Sequence, residues 1–174
     1  YAEGVAGIHQ VGFGWGPEPD GLNNRAIFWS SSADSAISLH PTGMDGSVAY
    51  DASATSQGGY AYGPGTGTVP HAILWHGTAA SAIDLHPAGY FTSEIHGVSE
   101  SQQVGMASSS SSGFNPNAML WNGTAASAVN LNPAGFTYSD ALDTSGTSQV
   151  GYGGGPHTNY NSHALLWYGT AESV

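Results

Sequence analysis

The 174-residue chain carries twelve acidic side chains, one arginine and no lysine, for a formal net charge of −11, with only 7% charged residues against 40% hydrophobic ones. Neutralising phosphates takes Lys or Arg, so nucleic-acid binding and adhesion to an anionic membrane surface are excluded as functions. With no cysteine there is neither a disulfide framework nor a thiolate metal site, and no apolar run reaches the roughly 18 residues of a membrane-crossing helix.

Gln10-Val11-Gly12-Phe13 reads as a short strand, followed by the polar loop Pro17–Asn24 and another strand segment, Arg25-Ala26-Ile27-Phe28-Trp29. That second segment then recurs. His71-Ala-Ile-Leu-Trp75, Asn117-Ala-Met-Leu-Trp121 and His163-Ala-Leu-Leu-Trp167 keep the pattern x-Ala-φ-φ-Trp, where φ is apolar, and space Trp29, Trp75, Trp121 and Trp167 at 46 residues. After each tryptophan comes Gly-Thr-Ala at Gly77, Gly123 and Gly169, with Ser31-Ser32-Ala33 in its place in the first unit. Next come Ala36-Ile-Ser-Leu-His-Pro41, Ala82-Ile-Asp-Leu-His-Pro87 and Ala128-Val-Asn-Leu-Asn-Pro133, and then a glycine at Gly43, Gly89 and Gly135. Gln57-Gly-Gly-Tyr60, Gln103-Val-Gly-Met106 and Gln149-Val-Gly-Tyr152 repeat the N-terminal Gln10 segment.

Each unit therefore predicts four short strands separated by Gly, Pro, Ser and Asn turns. A weak first strand falls near Ser47–Ser53, Ser93–Ser99 and Ser139–Ser145; the second is the Gln-Val-Gly-aromatic segment, the third x-Ala-φ-φ-Trp and the fourth Ala-Ile-x-Leu. In the fourth, Ile83 and Leu85 alternate with Asp84 and His86, which predicts one buried and one partly wet face. In the third, His71, Ile73 and Trp75 share one face and Ala72 and Leu74 the other, and both read as buried. His71 and His163 are expected to hydrogen-bond inside that core. The Ala-Ala-Ser-Ala stretches at 79–82 and 125–128 are too short for helices and read as turns.

A four-stranded unit of this length is the size of a propeller blade, and a sheet with two apolar faces needs neighbours on both. The sequence thus predicts an all-β chain, one repeat domain over 1–174, built as a β-propeller from four tandem units anchored at the four tryptophans. The alternative is a β-solenoid with two coils per unit, against which the two halves of the unit are unlike. Each indole buries about 150–250 Å², worth about 4–6 kcal/mol at the interface. Tyr1 and Val174 fall at the phases of Glu94 and Ala82. About one fourth strand is then missing from whole repeats, so either the chain belongs to a longer array or a strand from another copy completes it.

The unit His71–Trp75, followed by Ile83-Asp84-Leu85, and the unit His163–Trp167, preceded by Gln149-Val-Gly-Tyr152, resemble the HAF family of extracellular repeat proteins, named for a His-Ala-Phe motif. Phe is here Ile, Met or Leu, and Arg25 and Asn117 stand where His belongs, which speaks against a chemical role for that His. The resemblance covers nearly the whole chain. It implies a bacterial, propeller-like protein outside the cytoplasm and supplies no catalytic residues.

Among candidate ligand-binding residues, His40, His86 and Asn132 share one repeat position before a proline, where they either bind a metal or sugar hydroxyl or cap the strand-end turn. Glu18, Asp20 and Asn23 concentrate oxygens in the Pro17–Asn24 loop; calcium takes such ligands, but without EF-hand spacing the loop reads first as a solvated turn. Asp51 and Asp143 share a position held by glycine in the other units. No Ser-His-Asp arrangement or nucleophile elbow occurs, so no cofactor and no enzyme activity is expected. The sequence points to a non-catalytic structural or assembly module, extracellular or at the cell surface, partnered with itself as homo-oligomer or polymer. The alternative is a lectin-like propeller binding glycans through Trp15, Tyr60, Tyr62 and Tyr152.

Overall fold

The computed structural model describes residues 1–15 and 23–174, which form four antiparallel sheets with no helix longer than a single 3₁₀ turn among the described residues. The first sheet joins β1 (Ala2–Ala6), β2 (His9–Gly14), β3 (Arg25–Ser30) and β4 (Ile37–Ser38). The second joins β5 (Gly46–Ala52), β6 (Gln57–Tyr62), β7 (His71–Trp75) and β8 (Ile83–Asp84), and the third β9 (Thr92–Val98), β10 (Gln103–Ser108), β11 (Pro116–Trp121) and β12 (Val129–Asn130). The fourth has three strands, β13 (Tyr138–Thr144), β14 (Gln149–Gly154) and β15 (His163–Trp167). Strands lie in chain order within every sheet, so each is a meander. All pairing is antiparallel, which leaves no parallel solenoid coil among the described residues.

The glutamine that opens each second strand accounts for the turn after each tryptophan. Gln57 Oε1 accepts the N–H of Gly77 at 2.7 Å, and Gln103 and Gln149 accept those of Gly123 and Gly169 at 2.8 Å. These glycines lie in the left-handed region, with φ of 79°, 77° and 87°, where a residue without Cβ meets no steric penalty. Ser31 takes the same conformation in the first unit, φ 68°, with its N–H on Gln10. The Ala-Ala-Ser runs that follow are single 3₁₀ turns, Ala79–Ser81 and Ala125–Ser127.

The fourth strand departs from its predicted alternation. Leu85 is fully buried, as are Leu39 and Leu131, but Ile83 is 39% exposed and Ile37 44%. The ladder ends at Asp84, whose Oδ1 accepts the N–H of His86 at 2.8 Å. This Asx turn breaks the two-residue period, so the leucine enters the core while the isoleucine stays at the edge.

The sheets pack in chain order, the first strand of each lying across the preceding sheet: β5 on β1–β3, β9 on β5–β7, and β13 on β9–β11. Trp75, Trp121 and Trp167 are wholly buried in the three junctions, whereas Trp29 in the first sheet is only half-buried. Side-chain volumes match across each junction. At the first, Val11 and Phe28 receive Ala49 and Ala52. At the second, Gly58 leaves room for Ile95 and Val98, whose methyls would lie 2.5 and 2.4 Å from a Cβ there. At the third, Val104 and Leu120 receive Ala141, and Thr144 stands at the position of Val98.

Candidate functional site

Three positions form a clasp repeated at each junction. Ser47, Ser93 and Ser139 are fully buried, and their Oγ atoms accept the N–H of Ala26, Ala72 and Ala118 of the preceding sheet at 2.9–3.0 Å. The candidates His40, His86 and Asn132 close the clasp. His86 sets Nδ1 2.8 Å from Ser93 Oγ and Nε2 3.1 Å from the Tyr90 carbonyl; His40 repeats this with Ser47 and Met44. A carbonyl only accepts, so Nε2 carries the proton and Nδ1 receives the serine O–H. Asn132 reproduces that polarity: its Oδ1 accepts from Ser139 Oγ at 2.7 Å and its Nδ2 donates to the Phe136 carbonyl at 3.2 Å. Burial lowers the pKa of His86, and the neighbouring His71, stacked on it at 3.8 Å, lowers it further. His86 thus holds one sheet on the next as a neutral ring.

The other predicted residues scatter. His71 sets Nδ1 2.8 Å from Asp84 Oδ2 at the sheet edge, and His163 is exposed instead of lying in a core; the last sheet has no neighbour over that face among the described residues. Glu18 and Asp20 lie outside the described residues, and the Asn23 side-chain oxygen accepts from the Tyr62 hydroxyl at 3.4 Å. Among the described residues no three His, Asp or Glu side chains converge as metal ligands. Asp51 and Asp143 belong to different sheets. Asp51 Oδ2 accepts the N–H of Val98 in the next sheet at 2.8 Å. The glycines at this position have a packing reason: a Cβ on Gly97 would lie 2.6 Å from the Asp143 Cα, and one on Gly4 2.7 Å from the Asp51 Cα.

A second cluster was not legible from the motifs. Every first strand carries a β-bulge at one repeat position, between Ala2 and Gly4, Ala49 and Asp51, Ile95 and Gly97, and Ala141 and Asp143. The extra residues are Glu3, Tyr50, His96 and Leu142, and a bulge re-aims the side chain it adds. His96 sets Nδ1 2.9 Å from Asp140 Oδ1 in the next sheet and Nε2 3.6 Å from Glu94 Oε2 on its own strand. Burial pulls the His96 pKa down, but the hydrogen bonds to Asp140 and Glu94 outweigh it and hold the value at about 9. The ring of Tyr50 meets His96 edge-on at 5.6 Å, and Tyr60 and Tyr62 continue the row at 5.7 and 6.4 Å. Burial and the Glu94 charge raise the pKa of both Tyr50 and Tyr60, so these phenols stay neutral hydrogen-bonding groups. Tyr152 completes the group, its hydroxyl 3.5 Å from Asp140 Oδ2.

The signal for this cluster was the failure of the repeat. At equivalent positions the first strands carry Tyr1, Val48, Glu94 and Asp140, then Glu3, Tyr50, His96 and Leu142, so neither position keeps one residue type. Chemically, the cluster offers one imidazolium between two carboxylates beside a strip of tyrosine faces. Such an arrangement presents acceptors for hydroxyls and faces for stacking. No protein-family model and no curated protein matches the chain.

Proposed function

We propose that the chain is a non-catalytic, propeller-type module whose function is assembly through its sheet faces, working outside the cytoplasm as the likeness to HAF repeats implies. One observation carries the reading. Val104 and Leu120 on the third sheet are 0% and 3% exposed, while their equivalents on the last sheet, Val150 and Leu166, are 46% and 44% exposed. An apolar face built like three covered ones, yet open, is a docking surface in the ordinary sense of exposed hydrophobic patches. The uncovered edge of β15 beside it is where complementation by a further strand would act. Native mass spectrometry at low micromolar concentration tests the reading: particles of more than one chain are expected, and a strictly monomeric particle would overturn it.

The row of tyrosines favours a second reading, a lectin-like one. Tyr50, Tyr60 and Tyr62 form a continuous, half-buried strip beside Glu94, and Trp15, 57% exposed, lies near Tyr1 and Phe13 on the first sheet. Apolar sugar faces stack on such rings while carboxylates take their hydroxyls. Binding on a glycan array that is lost in Tyr60→Ala would support it; silence of the unaltered protein at high concentration would remove it.

A further inference from the structure

We infer that the partner for the last sheet is the first sheet of a second copy of this chain, seated on β14 and β15 as the fourth sheet is seated on the third. The inference rests on the assembly reading above and adds the identity and register of the occupant.

The three existing junctions define what an incoming first strand must carry. Two positions on it point into the preceding sheet: Ala49 and Ala52, Ile95 and Val98, Ala141 and Thr144. The receiving pairs are Val11 with Phe28, Gly58 with Leu74, and Val104 with Leu120. Large incoming side chains meet glycine and small ones meet valine, so total volume is conserved, as close packing demands.

The last sheet presents Val150 and Leu166, the same pair of residue types as Val104 and Leu120. It therefore calls for a small residue followed by one of valine or threonine shape. The first sheet carries Ala2 and Val5 at those two positions, fixed by their pairing with Gly12 and Gln10, and Val5 is isosteric with Thr144. The Gly58 type of junction, by contrast, would leave a void here. Val5 is 67% exposed, although its equivalents Ala52 and Val98 are 5% and 6%. Trp29 borders an open hollow of about 460 Å³ with Tyr1, Ala2 and Gln10, at the position where the three other indoles are fully covered.

Polar groups agree with the apolar match. Aspartate and glycine alternate along the stack at Gly4, Asp51, Gly97 and Asp143. Asp51 takes the N–H of Val98, the residue after a glycine, from the next sheet. Asp143 bonds only the N–H of its own neighbour Thr144 among the described residues, and it lines a hollow beside Val150. A first sheet placed on it brings the N–H of Val5, again the residue after a glycine, into the place of Val98, and the alternation continues unbroken. Each copy carries a net charge of −11, so an apolar contact between copies works against mutual repulsion and strengthens with salt.

The absence of cysteine makes the test direct. Val5→Cys and Val150→Cys chains are mixed and oxidised, beside a single chain carrying Val104→Cys and Thr144→Cys at the equivalent positions of the third junction. Disulfides need Cβ atoms about 3.5–4.5 Å apart, and the same pair of positions is in close contact at the second junction, where a Cβ on Gly58 would lie 2.4 Å from a Val98 methyl. The expected result is a mixed disulfide dimer in the first sample and an intrachain disulfide in the second, with Leu166→Glu abolishing the mixed dimer at unchanged thermal midpoint. If the intrachain pair closes and the mixed pair does not, the occupant is wrong although the stack stands. If native particles are multimeric but cross-link only Val5 to Val5 or Val150 to Val150, assembly stands and this register falls. A chain that is monomeric throughout removes both.

Discussion

The clasp at the start of each first strand and the bulge further along it both use histidine to join one sheet to the next, and they use it in opposite states. His86 holds Ser93 and the Tyr90 carbonyl as a neutral ring, in a position that recurs as His40 and Asn132. His96 holds Asp140 and Glu94 as a cation, in a position that recurs as glutamate, tyrosine and leucine. Where the neighbour offers a buried hydroxyl and a carbonyl, any side chain with one acceptor and one donor serves, and the repeat is kept. Where neighbours differ from sheet to sheet, the residue is chosen for its own junction, and the repeat is lost. Recurrence thus marks what the stack needs everywhere, and irregularity marks what one place needs for itself.

The largest expected effect breaks the clasp. Ser93→Ala removes the acceptor for the buried N–H of Ala72 and the partner of His86 Nδ1 in one step. A buried group left without its hydrogen bond costs about 1–3 kcal/mol, so a loss of about 2–4 kcal/mol is expected in equilibrium urea unfolding, a large share of a typical domain stability of about 5–15 kcal/mol. A change below about 0.5 kcal/mol, the range of ordinary surface substitutions, would mean that the clasp follows the packing and does not support it.

His96→Gln tests the other side. The folded-state pKa of about 9 lies above the ordinary histidine value of about 6.5, so the charged imidazolium contributes its full stability below pH 6.5 and loses it as pH rises through about 9. The groups facing it are Glu94 on β9, Asp140 on β13 and Tyr50 on β5. The raised Tyr50 phenol does not titrate within that window. With screening allowed for, the contribution is on the order of 2 kcal/mol. Unfolding measured across this range is expected to decline for the unaltered protein and to stay nearly flat for the variant. An equal decline in both would assign the alkaline loss to other groups.

The two histidines also show what could be read in the sequence. The tryptophan spacing announced the four sheets because a buried indole tolerates no substitute, and the glutamine and glycine recur because one amide oxygen serves one left-handed turn in every unit. Three of the four first strands were placed to within one residue, Ser47–Ser53 being expected where Gly46–Ala52 is found, while β1 over Ala2–Ala6 was not read at all. Their bulges were invisible, since strict alternation gives no place to an extra residue, and so Tyr50, Glu94, His96 and Asp140 passed as ordinary positions in the weakest strands. The same assumption of alternation put Ile83 in the core, where an Asx turn in fact sends only Leu85.

The smallest effect sharpens the comparison most. His86→Asn installs what the third unit already carries at Asn132, an acceptor for the serine hydroxyl and a donor for the turn carbonyl, so at neutral pH the change is expected to stay within about 1 kcal/mol, the worth of one modest hydrogen bond. Its signature lies in acid. Because burial and His71 hold the His86 pKa below 6.5, the unfolded chain takes up its proton first, and stability present above pH 6.5 is lost as pH falls below it. Asparagine has no proton to gain, so unfolding curves at neutral pH and near pH 5 should lie closer together for the variant than for the unaltered protein. If the acid loss were undiminished, the ring would not be held neutral by the clasp, and the contrast with His96 would rest on position alone.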